Sequence, residues 1–148
     1  MAYVNDRTVH DADAHVMELP QKILDYLPKH QIQAFTEKAN QPVTVSQDLE
    51  RAIALQADTR FRAEDESQLM LRKNHLALGA FIPEDRVKTL DLLGFRSQLI
   101  FTTAALGNFG LDERDPKLAQ AAARAHNAMN TDFCAVDERM LATGYVPL

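Results

Sequence analysis

PEDRVKTLDLLGFRSQLIFTT, residues 83–103, holds a helix, its stop signal and a strand without interruption. Pro83 suits a first helical position, where a missing N–H is no loss, and Glu84 and Asp85 complement the positive end of the helix dipole. Val87, Leu90 and Leu93 recur at helical spacing and form a buried stripe. Gly94 stands where a left-handed residue ends a helix. Leu99, Ile100 and Phe101 then make the apolar run of a buried strand.

Toward the C-terminus, AALGNFGLDER (104–114) reads as a loop holding Gly107 and Gly110. Asp115 and Pro116 give an N-cap followed by a proline at the first helical position. The helix they open has Leu118, Ala122, Ala125, Met129 and Phe133 on its inner face. RMLATGYVPL (139–148) reads as a further apolar strand.

Toward the N-terminus, RTVHDADAHV (7–16) is too polar for an ordinary buried strand and too short for a helix before Pro20. A strand from about Arg7 to Ala14 is expected. Alternation then places Val9, Asp11, Asp13 and His15 on one face, and Thr8, His10, Ala12 and Ala14 on the other. Residues 20–78 read as an irregular helical insertion. Ile23, Leu24 and Leu27 give a short pattern broken at Pro28, and Ile32 and Phe35 begin another. QPVTVSQD (41–48) reads as a loop or short strand. Charge-dense ADTRFRAEDESQ (57–68) reads as solvated helix rather than core. Strand, insertion, helix, strand, helix, strand is the order of an α/β chain with parallel pairing and right-handed crossovers.

Composition narrows the function. The 148 residues suffice for one domain with a core. Net charge of -5 argues against nucleic-acid binding. No apolar run reaches the roughly 20 residues that span a bilayer. The N-terminus lacks the apolar region of a secretory signal. Cys134 is the sole cysteine, so no internal disulfide forms. A cytoplasmic location is the expectation.

Asp13 and His15, two apart on a strand, point the same way, with Cα atoms roughly 6.6 Å apart at about 3.3 Å per residue. A carboxylate oxygen and an imidazole nitrogen can converge on Zn²⁺, Mn²⁺ or Fe²⁺. They lie at the carboxyl end of the strand, where α/β barrels place their sites. Spacing alone also fits a surface pair.

The run DADAHVMELP (11–20) resembles the first-strand signature of the amidohydrolase-related metal-dependent hydrolases, the branch with aminocarboxymuconate-semialdehyde decarboxylase and the resorcylate decarboxylases. ALGAFIPEDRVKTLDLLGFRSQLIFTT (77–103) is similar to that family's helix and second strand, and HNAMNTDFCAVDERMLATGYVPL (126–148) to its next helix and third strand. The resemblance implies the first three strands and intervening helices of a (β/α)₈ barrel, with an insertion over about 20–78. It also implies a divalent metal, Zn²⁺ or Mn²⁺, held in part by Asp13 and His15, and a small organic or aromatic acid as substrate. The family's usual His-x-His is here Asp-x-His, and a carboxylate moves metal preference toward harder ions such as Mn²⁺.

Such a barrel typically takes about 250 residues. Residues 1–148 are therefore expected to be its N-terminal part, without the family's later ligands, which follow strands five, six and eight. His10, His30, His75 and His126 do not match those positions. The alternative is a non-catalytic module that associates, with itself or another chain, through exposed sheet edges.

Other residues carry two readings each. Asp11 orients His15 or is simply solvated. Glu18 lines the site mouth or, as favoured, is a loop glutamate. Thr102 and Thr103 face a pocket or merely end a strand. His75 covers the site or, as favoured, is a half-buried helix histidine. His126 and Cys134 are packing residues, and Asp137, Glu138 and Arg139 are expected to form structural ion pairs.

Overall fold

Gly94 ends its helix as the sequence implies. In the computed structural model, which describes residues 2–38, 46–108 and 115–147, the helix α6 spans Pro83–Leu93 and Gly94 follows at φ 76°. Before it come β1 (His10–Val16), α1 (Lys22–Tyr26), α2 (Ile32–Lys38), α3 (Gln47–Ala57), α4 (Thr59–Ala63) and α5 (Asp65–Gln68). After it come β2 (Ser97–Thr102), α7 (Pro116–Cys134) and β3 (Met140–Ala142). The strands form one parallel sheet in the order β1-β2-β3, so the chain is mixed α/β with helical crossovers.

β1 begins later and runs further than the expected Arg7–Ala14. It also does not alternate cleanly. Asp11 pairs with Gln98 and Ala14 with Ile100, so β1 takes three steps where β2 takes two. This extra residue is a bulge, and it resets which face each side chain occupies. Asp11 falls on the face of Gln98, Ile100, Ala14 and Val16, not with His15; His15 falls opposite Phe101, on the other face. The expected grouping of Asp11 with Asp13 and His15 is thus corrected.

One sheet face is the core. Ala14, Val16, Ile100 and Met140 pack there with Leu90 of α6 and Phe133 and Cys134 of α7. The opposite face stays open: along β2, Gln98, Ile100 and Thr102 are buried while Leu99 and Phe101 are only half-buried. Leu141, opposite Leu99, is 47% exposed. The expected fully buried strand is therefore covered on one side only.

α7 is buried on two sides. Its far side packs Leu118, Ala119, Ala121, Ala122 and Ala125 against Ile23, Leu27 and Phe35 of the insertion. Alanines bring both neighbours close but supply little apolar area each. Asn130, fully buried, adds polar anchoring by donating to Ile100 O and Thr143 O at 2.9 and 3.1 Å. Asn127 pairs with both backbone groups of Tyr145. These side chains take the place of a longer ladder, so the third strand stops at Ala142 rather than running through the C-terminal apolar run.

Residues 57–68 form short, mostly exposed helices, as their charge suggests, with Asp65 alone among them buried. Asp85 of α6 is buried as well. Arg62 donates to Asp85 at 2.6 Å, and Arg72 to Asp65 at 2.7 Å while its guanidinium lies over the Phe61 ring. Leu49, Ala52 and Gln56 of α3 are also buried, Gln56 donating to the carbonyls of His75 and Ala77. Arg62 and Asp65 tie the solvated stretch 57–68 to α6 through Asp85 and Lys88. Residues 41–45 of the expected loop or strand lie outside the described residues; Ser46 caps α3 by accepting from Leu49 N. Ala104–Asn108 is a 3₁₀ turn, and Gly110 lies outside the described residues. Asp115 caps α7 as expected, accepting from Leu118 N at 3.2 Å. Arg139 pairs with Asp137 and Asp91, the structural role expected. No helix among the described residues is long and apolar enough to cross a membrane.

The N-terminal segment closes the end of α6. Tyr3 N and Val4 N donate to Leu92 O and Leu93 O, carbonyls the helix itself leaves unmet. A Cβ on Gly94 would collide with Val4 O, and φ 76° is strained for any side chain. Gly94→Ala should lower stability by at least about 1 kcal/mol, read from the urea unfolding midpoint. An unchanged midpoint would mean the N-terminal segment does not dock there.

Candidate metal-ligand pair at the sheet end

The bulge leaves Asp13 and His15 both facing solvent past the edge of the core. Asp11 Oδ1 accepts from Asp13 N at 3.0 Å, and Asp11 Oδ2 accepts from Gln98 Nε2 at 3.1 Å. Asp11 therefore holds the bulged backbone at Asp13 instead of touching the His15 ring. His15 Nε2 and Asp13 Oδ1 are 3.4 Å apart, with side-chain exposures of 40% and 90%. Two ligands of one tetrahedral ion, each bonded at about 2.0–2.1 Å, stand roughly 3.3 Å apart. The same spacing suits a protonated histidine beside a carboxylate.

The other imidazole nitrogen is also met. Thr103 Oγ1 lies 3.3 Å from His15 Nδ1 and 3.7 Å from Met17 Sδ. The hydroxyl can donate to a bare Nδ1. It can also accept from Nδ1–H while turning its own proton to sulfur. The second arrangement leaves the Nε2 lone pair aimed toward Asp13, the tautomer a metal ligand requires. The ring also packs against Phe101, centroids 5.7 Å apart.

Glu18 lies in the loop after β1, as favoured, but it is buried there. Its Oε2 accepts from Thr103 N and Ala104 N, both at 3.0 Å. Burial pushes its carboxyl above the ordinary 4.5, outweighing the opposing pull of the backbone N–H groups. No local pattern marks this contact, because its partners lie 85 and 86 residues away. Thr102 is buried toward the helices, so only Thr103 faces the pair.

His75 lies on the 3₁₀ turn Asn74–Leu76, half-buried beside Phe81. Its ring partner is Phe81, and it does not join the pair. His10 bonds Ser97 at the start of the sheet, His30 is exposed on the turn Lys29–Gln31, and His126 is buried in α7. No group of three or more metal-binding side chains occurs among the described residues. Burial pushes the Cys134 thiol up to about 11, which suits packing and not attack.

Arg86, also buried, donates to Gly79 O and to His15 O, both at 2.7 Å. The sequence stripe of α6 missed this polar buried face, which includes Asp85 and Thr89. Beside it opens a cleft of about 300 Å³ lined by His15, Met17, Asn74, Arg86, Thr89 and Gln98.

Comparison of the chain with family models, with curated proteins and with solved structures gives no match.

The raised pKa of Glu18 has a stability consequence. The folded state binds that proton more tightly than the unfolded state, so stability is lost as pH rises through the folded pKa. The loss is absent below the unfolded value near 4.5. Glu18→Gln keeps an oxygen to accept both N–H groups and carries no buried charge. It should be more stable than wild type at pH 7, with the gap closing at pH 4. Thermal unfolding at the two pH values measures this; a gap that persists at pH 4 contradicts the assignment.

Proposed function

We propose that this chain contributes the first three β/α units of an amidohydrolase-related metal-dependent barrel, with Asp13 and His15 as two ligands of a divalent cation, Mn²⁺ or Zn²⁺. The observation that carries this is the 3.4 Å approach of His15 Nε2 to Asp13 Oδ1. In the neutral tautomer with Nδ1–H on Thr103, both facing atoms are acceptors, and a divalent cation between them would offset their repulsion. The pair belongs to the open sheet face, near the carboxyl end of β1, where α/β barrels act.

The open face also supports a barrel. Parallel sheets are ordinarily covered on both sides. Here both crossover helices take one side and leave Leu99, Phe101 and Leu141 on the other. A closed barrel turns that side inward and fills it with side chains.

The reaction class follows the sequence resemblance: hydrolysis or decarboxylation of a small organic or aromatic acid. A divalent cation there would polarise a substrate oxygen or a water. Asp13 supplies negative charge to hold the cation. His15 supplies a neutral nitrogen oriented by Thr103. A catalytic zinc site commonly has three protein ligands, so this pair is one corner of such a site.

A second reading rests on Leu141 and the open face. The same apolar surface suits a non-catalytic module that associates through its sheet.

Calorimetric titration of the purified chain with Mn²⁺ and Zn²⁺ separates the two. Wild type should bind at least one ion more than tenfold tighter than Asp13→Ala or His15→Ala. Equal affinity in all three sinks the metal reading and leaves the association module.

A further inference from the structure

Asp13 and His15 alone do not fix where Nε2 points. The imidazole turns about its own bonds, and Asp13 is almost wholly exposed. What limits the ring is a closed triangle of constraints at the carboxyl ends of β1 and β2. One side is covalent, the short run from His15 to Glu18. The second is the pair of hydrogen bonds from Thr103 N and Ala104 N to Glu18 Oε2. The third is the contact of Thr103 Oγ1 with His15 Nδ1. Phe101 packs on the ring as well, but an apolar face does not select which nitrogen meets Asp13.

Glu18 is an unusual choice if its task were only to cap the 3₁₀ turn that begins at Ala104. Turns of that kind are commonly capped by a neighbouring Ser, Thr or Asp. Here the acceptor comes from the loop after β1, and it is the carboxylate of a residue only 8% exposed.

We propose that Glu18 is a positioning residue for the candidate metal site: it fixes the Thr103 backbone so that the Thr103 hydroxyl holds His15 Nδ1 and leaves Nε2 free toward Asp13. The metal half of this rests on the reading of Asp13 and His15 as ligands; the positioning half does not.

The test uses the full chain with ¹⁵N-labelled histidine, first metal-free at pH 8 and then titrated with Mn²⁺ and Zn²⁺. The His15 signals are identified by their loss in His15→Asn. Wild type should show one dominant His15 tautomer. Glu18→Ala and Thr103→Val should each give a mixture. Their double variant should go no further than the larger single effect, because both act through one chain of contacts. Glu18→Gln, whose amide oxygen can accept both N–H groups, should stay close to wild type. Metal affinity should fall about 10–100-fold in the first two variants and much less in Glu18→Gln.

Unchanged His15 tautomers in a folded Glu18→Ala overturn the proposal. Should Glu18→Ala not fold, Thr103→Val decides: unchanged His15 signals there overturn it equally. If wild type binds neither ion, the ligand reading falls and the tautomer comparison alone judges Glu18.

Discussion

The extra residue between Asp11 and Ala14 governs the rest of the molecule. Without it, strict alternation would put Asp11 with Asp13 and His15. With it, Asp11 turns to the face of Gln98 and ties down the bulged backbone, while Ala14 and Val16 enter the core. Bulges of this kind re-aim side chains near functional sites. Here the re-aiming separates a structural carboxylate from a candidate ligand only two residues away.

Much of the fold was legible because its signals are local. Pro83, Glu84 and Gly94 bracket α6, and Asp115 and Pro116 open α7, all by rules that involve a few neighbouring residues. The element order and the parallel pairing follow from those helices joining strands. The bulge was not legible, since it is defined by the register against β2. Glu18 was not legible for the same reason: nothing near it in sequence shows that Thr103 N and Ala104 N arrive there. The charged stretch 57–68 was legible as solvated helix, but its ion pairs Arg62–Asp85 and Arg72–Asp65 were not, because each joins residues that no local pattern links. Asp13 and His15 were found as a pair, and the structure adds their mutual distance and the hydroxyl behind the ring.

Energetically, the chain relies on polar anchors where apolar area is thin. α7 meets both neighbours through alanines, and Asn127 and Asn130 stitch the segment after β3 to it. The fully buried Asn130 amide, so satisfied, avoids a desolvation loss of about 1–3 kcal/mol. These asparagines do for the short third strand what ladder hydrogen bonds do for the longer first pair.

Arg86 has an effect on how the sheet can grow. Its guanidinium occupies His15 O, and Ala80 O takes the N–H of Met17 along the same stretch of β1. The upper border of β1 is therefore spoken for by the chain's own loop. A visiting strand finds no row of vacant donors and acceptors there, which guards a parallel sheet against edge-to-edge aggregation. A strand that closes a barrel against β1 must either dislodge Arg86 or pair lower down, beside His10 and Asp11. The same bond that steadies the candidate ligand strand thus makes sheet extension directional, with β1 stoppered at the end that carries the chemistry.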